Sequence, residues 1–170
     1  MMGTVAEHVI RRTLHDDVID PSHADRKESK VFRAAKRRLK ADGHYRCWIC
    51  RTTKNLQVHH FIAEYMVKSV VDLDEMKVVA EELDIYGYGH LMRHVPITDP
   101  EDIRGMMVLC QTHHTGVDHT DGGGGTGVHD LTWNTWLLQR IAKKHLNPVP
   151  QPGETFVDVL KRLVDANPPT

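Results

Sequence analysis

Val58-His59-His60-Phe61 is the main basis for predicting the fold, together with two short segments that carry metal ligands. The upstream segment is Cys47-Trp48-Ile49-Cys50, and the downstream segment is Cys110-Gln111-Thr112-His113. A C-x2-C pair joined to a C-x2-H pair supplies four ligands of the types that zinc prefers, at the spacing that tetrahedral sites use. We therefore expect one structural Zn²⁺ bound by Cys47, Cys50, Cys110 and His113.

The predicted zinc site leaves histidines that it does not need. It would bring His59 and His60 close to His114, which directly follows the last zinc ligand. Residues 56–61 are predicted to form a strand, and side chains alternate along a strand, so His59 and His60 should point in different directions. One histidine can then coordinate a metal while the other moves a proton. The alternative is that one ring is buried with a satisfied hydrogen bond and the other lies at the surface.

These blocks resemble the HNH endonucleases of the ββα-metal (His-Me finger) class, in particular phage-type members. The resemblance runs from Cys47 to about Gln139 and rests on the order in which the blocks occur. After the C-x2-C pair come Leu56-Gln57-Val58-His59-His60, Met107-Val108-Leu109-Cys110-Gln111-Thr112-His113-His114 and Gly127-Val128-His129-Asp130-Leu131-Thr132.

The resemblance implies a fold, an activity and a set of site residues. The fold would be α+β, with a ββα-metal (HNH) core, a zinc-knuckle pair, a basic N-terminal helix, a helical insertion between the core strands and C-terminal helices. The activity would be metal-dependent hydrolysis of DNA, leaving a 5′-phosphate and a 3′-hydroxyl. His60 would be the general base and His59 and His114 ligands of a catalytic divalent ion, with a third ligand from His129, Asp118 or His119. Mg²⁺ would be the first choice of ion, with Mn²⁺, Ni²⁺ and Zn²⁺ left open.

The sequence departs from the family pattern at one position. An asparagine usually stands five residues before the second-knuckle cysteine and braces the loop that carries the base, but this chain has Gly105 there. Asp102 is the nearest substitute in the sequence. The departure favours an alternative in which the chain is a catalytically degenerate HNH-fold zinc module that binds nucleic acid or a protein partner without cleavage.

Length and charge limit the class of protein. A chain of 170 residues suits one domain with its own core. No apolar run approaches the roughly 20 residues that span a bilayer, and no signal pattern opens the sequence, so we expect a cytoplasmic protein with no membrane contact. Three cysteines cannot all pair, which favours metal-bound thiolates over disulfides. A net charge of -1 gives no general attraction to nucleic acid.

A local cluster of cations supplies the attraction to nucleic acid that the net charge does not. From Arg26 to Lys54 there are eleven Lys and Arg residues and two acids. Ser22 and Asp25 form a capping box that predicts a helix ending at Asp42-Gly43, and its apolar stripe would be Val31, Ala35 and Leu39. An isolated run of this kind favours a solvated helix face. Beside a nuclease site, we interpret it as the surface that binds DNA phosphates.

Composition and periodicity divide the remainder of the chain. Asp72 and Glu75 form a second capping box, which predicts a helix with a stripe of Leu73, Met76, Ala80 and Leu83. A helix is predicted over residues 132–146, with Leu137, Ile141 and His145 on its buried side, and another over residues 154–166. The predicted divisions are an N-terminal arm (1–21), the nuclease domain (22–146) with its insertion (62–105), a Pro-rich linker (147–153), and a C-terminal helix and tail (154–170).

Overall fold

The protein has an α+β fold in which several short helices surround a small two-stranded antiparallel sheet. The computed structural model describes residues 28–63, 67–115, 128, 135–154 and 156–168. Its elements, in chain order, are α1 (Lys30–Ala41), β1 (Leu56–His60), α2 (Leu73–Glu82), α3 (Tyr88–Leu91), a 3-10 turn (Ile103–Gly105), β2 (Met106–Cys110), α4 (Gln111–His114), α5 (Thr135–Ile141) and α6 (Phe156–Ala166).

Helix α1 begins later than the sequence analysis predicts. Ser29 is its N-cap and accepts a hydrogen bond from the Phe32 N–H at 3.0 Å, so the predicted start after Ser22 is wrong for this helix. The buried stripe is Phe32, Ala35 and Leu39, while Val31 is exposed. Phe32 takes the inward position that was predicted for Val31 because it lies three residues before Ala35 and seven before Leu39. The helix ends at its C-cap Asp42, where the sequence predicts the stop.

The sheet decides which way the two central histidines point. β1 pairs with β2 so that His59 lies opposite Met107 and His60 lies opposite Met106. Met106 and Val108 pack with α1, whereas Met107 and Leu109 pack with Cys47 and Cys110. Neighbouring side chains on a strand point to opposite faces, so His60 faces α1 and His59 faces the cysteines.

The segment predicted as an insertion, residues 62–105, contributes to the largest apolar core of the described structure. Its buried residues, among them Ile62 and Met76, pack with Leu137 and Ile141 of α5 and with three residues of α6, Val159, Leu160 and Leu163. α6 therefore docks on the body of the chain.

Helix α5 ends at Ile141, so the predicted extension of this helix to Leu146 is wrong. Ala142 instead forms an antiparallel bridge with Val71, and the Lys143 N–H donates to the Val70 carbonyl at 2.8 Å. The Ala142 N–H still donates to the Leu138 carbonyl at 3.0 Å, so pairing with the distant segment replaces the helical hydrogen bond first at Lys143. It also leaves His145 exposed rather than on a buried side.

Candidate metal centre and histidine site

Cys47, Cys50, Cys110 and His113 form one cluster. Their ligand atoms all lie within 4.8 Å of one another, so the cluster can hold a metal ion. The Cys50 and Cys110 Sγ atoms are 3.8 Å apart, and the Cys47 Sγ lies 3.6 Å from His113 Nδ1. Two sulfurs on a tetrahedral zinc with bonds of about 2.3 Å stand about 3.8 Å apart. The four predicted ligands lie close enough to hold a metal ion, and their arrangement is consistent with a structural zinc.

Two backbone arrangements bring the ligands together. Around the first knuckle, the Arg51 N–H donates to the Cys47 carbonyl at 2.9 Å, and the Cys47 N–H donates to the Thr52 carbonyl at 2.9 Å. In the second knuckle, β2 ends at Cys110 and α4 follows directly, which turns His113 back toward the cysteine. The Trp48 N–H donates to the Val108 carbonyl at 2.8 Å and so fastens the first knuckle to β2.

The thiols of the cluster are set up to bind a cation. Burial opposes ionisation of Cys47, but hydrogen bonds from the backbone of Cys50, Cys110 and Ile49 to its sulfur outweigh that effect and lower its pKa to about 6. Burial raises the pKa of the Cys110 thiol, and the neighbouring sulfurs of Cys47 and Cys50 raise it further. A bound cation removes the repulsion between sulfurs by neutralising their charge.

His59 and His114 meet beside this cluster. Their ring centroids are 5.2 Å apart, and the rings meet edge to face at 67°. His114 Nδ1 also contacts Gln57 Oε1. An amide oxygen only accepts, so in this contact the ring proton of His114 lies on Nδ1 when Gln57 Oε1 is the acceptor. The structure thus brings together two of the three histidines predicted to hold a second ion. His129, with the alternatives Asp118 and His119, lies outside the described residues.

His60 has different neighbours, and one of them was not expected from the sequence. Its Nε2 lies 3.2 Å from Glu101 Oε1, with both side chains buried, and its ring stacks on Phe32 at 5.2 Å between centroids and 10° between planes. When this carboxylate is ionised it only accepts hydrogen bonds, and the ring proton then lies on Nε2. Glu101 was missed because 41 residues separate it from His60 and it belongs to no motif.

Gly105 stands where the family pattern has an asparagine, and a side chain here would have to displace the flexible end of Met76. A Cβ at this position would lie 2.7 Å from the terminal methyl of Met76, and the Gly105 carbonyl accepts from the Phe61 N–H at 2.8 Å. Asp102 does not take the place of the asparagine, because its side chain caps the 3-10 turn and pairs with buried Arg104 at 2.7 Å. Glu101 is the acid that reaches His60.

The basic segment is exposed over most of its described length. Of the two acids within it, Glu28 pairs with Lys36 at 2.6 Å and Asp42 pairs with Arg38. The cations without a carboxylate partner among the described residues include Arg37, Arg46, Arg51 and Lys54, and all four side chains are exposed. Arg26 and Lys27 lie outside the described part of the chain.

Comparison of the chain with protein-family models, with curated proteins and with solved structures gave no match. Every helix in the described segments is too short or too polar to cross a membrane. Membership of the HNH family, predicted from the order of the motifs, therefore stays a prediction.

Proposed function

We propose that this protein is a metal-dependent endonuclease of the HNH type, which hydrolyses phosphodiester bonds in DNA and whose core is a ββα-metal unit pinned by zinc. The observation that carries the proposal is the placement of His59 and His60. Adjacent in sequence, they face opposite sides of β1, one toward His114 and the other toward Glu101. One side of β1 can then bind a cation while the other accepts a proton, and hydrolysis of a phosphodiester requires both tasks.

The zinc cluster has the structural role in this proposal. Four protein ligands complete a tetrahedral shell and leave no position open for water or substrate. Its effect is to hold residues 47–50 against the end of β2, and so to fix α4 and His114 relative to His59. Catalysis then depends on the histidines and not on this zinc.

A second ion would be held by His59 and His114. When bound, it would neutralise the charge that develops on the phosphate and on the leaving oxygen. Both described donors are imidazoles, which suit Mn²⁺, Ni²⁺ or Zn²⁺ better than Mg²⁺. We therefore place these transition-metal ions ahead of Mg²⁺, the ion that the sequence analysis ranks first. The predicted third donor, His129, would strengthen this preference.

His60 would remove the proton from the attacking water. The Glu101 carboxylate holds the proton of the ring on Nε2, which leaves Nδ1 basic and fixes the plane of the ring together with Phe32. As the proton arrives on Nδ1, the carboxylate stabilises the imidazolium that forms. The carboxylate thus supplies the bracing that the asparagine gives in the family pattern. The basic surface from Arg26 to Lys54 would hold the DNA backbone.

The test is cleavage of supercoiled plasmid by the full chain. Loosely bound metal is removed first, and Mn²⁺, Ni²⁺, Zn²⁺ or Mg²⁺ is added back singly. We expect wild-type protein to nick or linearise the plasmid only with added metal, and His60→Ala to lose this activity while it retains its zinc and thermal transition. His94→Ala, which removes an exposed histidine outside the site, is the matched control.

The degenerate zinc module is a second candidate, and the burial of His60 favours it. The ring is only 5% exposed, between Phe32 and Glu101. A nuclease must let a water molecule reach this ring, whereas a binding module need not. No cleavage with any of the four ions, by folded protein that binds DNA and holds one zinc, would favour the module and contradict the nuclease.

A further inference from the structure

The loop between the first two zinc ligands exposes two large apolar side chains. Trp48 is 40% exposed and Ile49 is 49% exposed, although the strand below them, β2, is buried throughout. A C-x2-C pair fixes only the spacing of its cysteines, so polar residues between them would serve the metal equally well. The metal site therefore does not account for Trp48 and Ile49. We call residues 46–51 the knuckle tip.

Arg51 closes the knuckle tip in a conformation that suits glycine. Its φ is 64°, in the left-handed region that costs an L side chain free energy and costs glycine almost none. A long cation held at a strained backbone position suggests that its side chain has a use.

The surroundings of the tip are positively charged. Arg46, Arg51 and Lys54 are all exposed, and the sequence has no Asp or Glu between Gly43 and Ala63. Each of these cations can therefore meet an anionic partner without first breaking an ion pair inside the loop. Exposed apolar side chains flanked by cations are complementary to nucleic acid, in which phosphates flank stacked bases.

The tip is anchored close to the proposed active site. The Trp48 N–H donates to the Val108 carbonyl at 2.8 Å, and the residue before Val108, Met107, lies opposite His59 in the sheet. A strand of DNA held at the tip would thus be held near the histidines.

We infer that the knuckle tip is a DNA wedge, in which Trp48 and Ile49 enter a deformable base step while Arg46, Arg51 and Lys54 bind the flanking phosphates. Apolar side chains that enter a base step unstack it and bend the duplex, most easily at pyrimidine–purine steps. Two side chains are too small an apolar area for a stable protein interface, which buries about 800 Å² on each partner. The choice of DNA as the partner rests on the proposed function.

Binding without cleavage tests the wedge. Zinc-loaded full-length protein, with no further divalent ion, is titrated into a labelled duplex that carries 2-aminopurine at a TA step. We expect Trp48→Ala to bind about tenfold more weakly, as loss of one stacked base contact predicts. We also expect the rise in 2-aminopurine fluorescence that reports unstacking with wild type to be absent with this variant. Leu91→Ala, which removes an exposed apolar side chain elsewhere, should behave as wild type.

Arg51→Gly gives a second readout that separates binding from stability. Relief of the left-handed strain should raise the thermal midpoint by about 2–4 °C. Loss of one phosphate contact should weaken binding and reduce the slope of log affinity against log salt by about 1. Asn55→Gly is the control, because Asn55 also has a positive φ, of 50°, but carries no charge. Its affinity should not change.

Two outcomes would overturn the wedge: equal DNA affinity of Trp48→Ala and wild type, or self-association of the wild type that Trp48→Ala abolishes with DNA affinity intact. The second would show that the tip contacts another copy of the chain. The endonuclease proposal is tested separately. If plasmid is not cut but DNA binding depends on Trp48, the wedge is supported and the endonuclease proposal is contradicted. If cleavage depends on His60 but Trp48→Ala binds DNA as wild type does, only the wedge is contradicted.

Discussion

His60 and Glu101 show what a single contact adds to a sequence motif. The alternation of side chains on a strand predicts that His59 and His60 diverge, and the pairing of β1 with β2 confirms it. The partner of His60 could not be predicted, because it comes from a turn 41 residues away and depends on how the chain between them packs. Packing also limits position 105, where a Cβ would displace the terminal methyl of Met76.

Glu101→Gln tests the role of this carboxylate. Glutamine has nearly the same size but no charge, and its amide can present an N–H to the ring, which would move the ring proton to Nδ1. We expect plasmid cleavage to slow by about 100-fold or more, the lower end of what a general base contributes. Glu28→Gln, which changes an exposed acid on the basic segment, is the control and should leave the cleavage rate within about twofold, because among the described residues its side chain pairs with Lys36 at the surface.

Thermal melting shows whether Glu101→Gln is folded, and its cleavage rate then shows whether Glu101 orients His60 or only fills space. A folded variant with slow cleavage fits the proposed role. A variant that cuts plasmid at the wild-type rate would show that Glu101 only fills space next to His60.

At the scale of elements, the sequence predicted well the features that depend on local spacing. The two strands, the helix that begins after Asp72 and the end of α1 at Asp42 follow from apolar runs and capping residues. The start of α1 and the end of α5 could not be predicted from apolar runs and capping residues. Ser29 is as good a cap as Ser22, and only the bridge between Val71 and Ala142 shows where α5 must end.

Helix α1 offers a direct comparison between neighbouring residues. Phe32 is buried in the core and stacks on His60, while Val31 faces solvent. We expect Phe32→Ala to lower the free energy of unfolding by about 3–5 kcal/mol, because it removes a large side chain from a packed core. Val31→Ala should change it by no more than about 0.5 kcal/mol. Urea denaturation of both variants measures this difference, and equal losses would contradict the observed orientation of α1.

In the molecule as a whole, the described buried apolar residues form three clusters. The largest joins residues 62–105 to α5 and α6, the second packs α1, α3 and the 3-10 turn on β2, and the third joins Cys47 and Cys110 to Met107 and Leu109. The zinc ligands come from segments some 60 residues apart and join the first knuckle to the end of β2. The sequence predicted the four ligands because their spacing is local within each pair. It could not predict that residues 62–105 build a core, because the apolar residues they meet lie in α5 and α6.

Loss of the zinc should therefore affect the whole fold. Cys110→Ser removes one ligand and leaves the sulfurs of buried Cys47 and exposed Cys50 without a cation, so we expect the variant to lose its zinc and its cooperative thermal transition. Zinc released to a chromophoric chelator and a melting curve measure both effects. His114→Ala is the matched control, because His114 follows a ligand but lies outside the cluster, and it should keep one zinc. Zinc retained by Cys110→Ser would contradict the four-ligand site.

The two adjacent histidines are proposed to have different roles, in which His59 binds a cation and His60 accepts a proton. The most direct test is the rate of plasmid cleavage as a function of Mn²⁺ concentration in wild type, His59→Ala and His60→Ala. We predict that His59→Ala needs at least about tenfold more Mn²⁺ for half of its maximal rate, as loss of an oriented ligand implies. His60→Ala should keep the wild-type Mn²⁺ dependence with a maximal rate lower by about 100-fold or more. The same change in both variants, or a shifted Mn²⁺ dependence in His60→Ala alone, would contradict the division of roles.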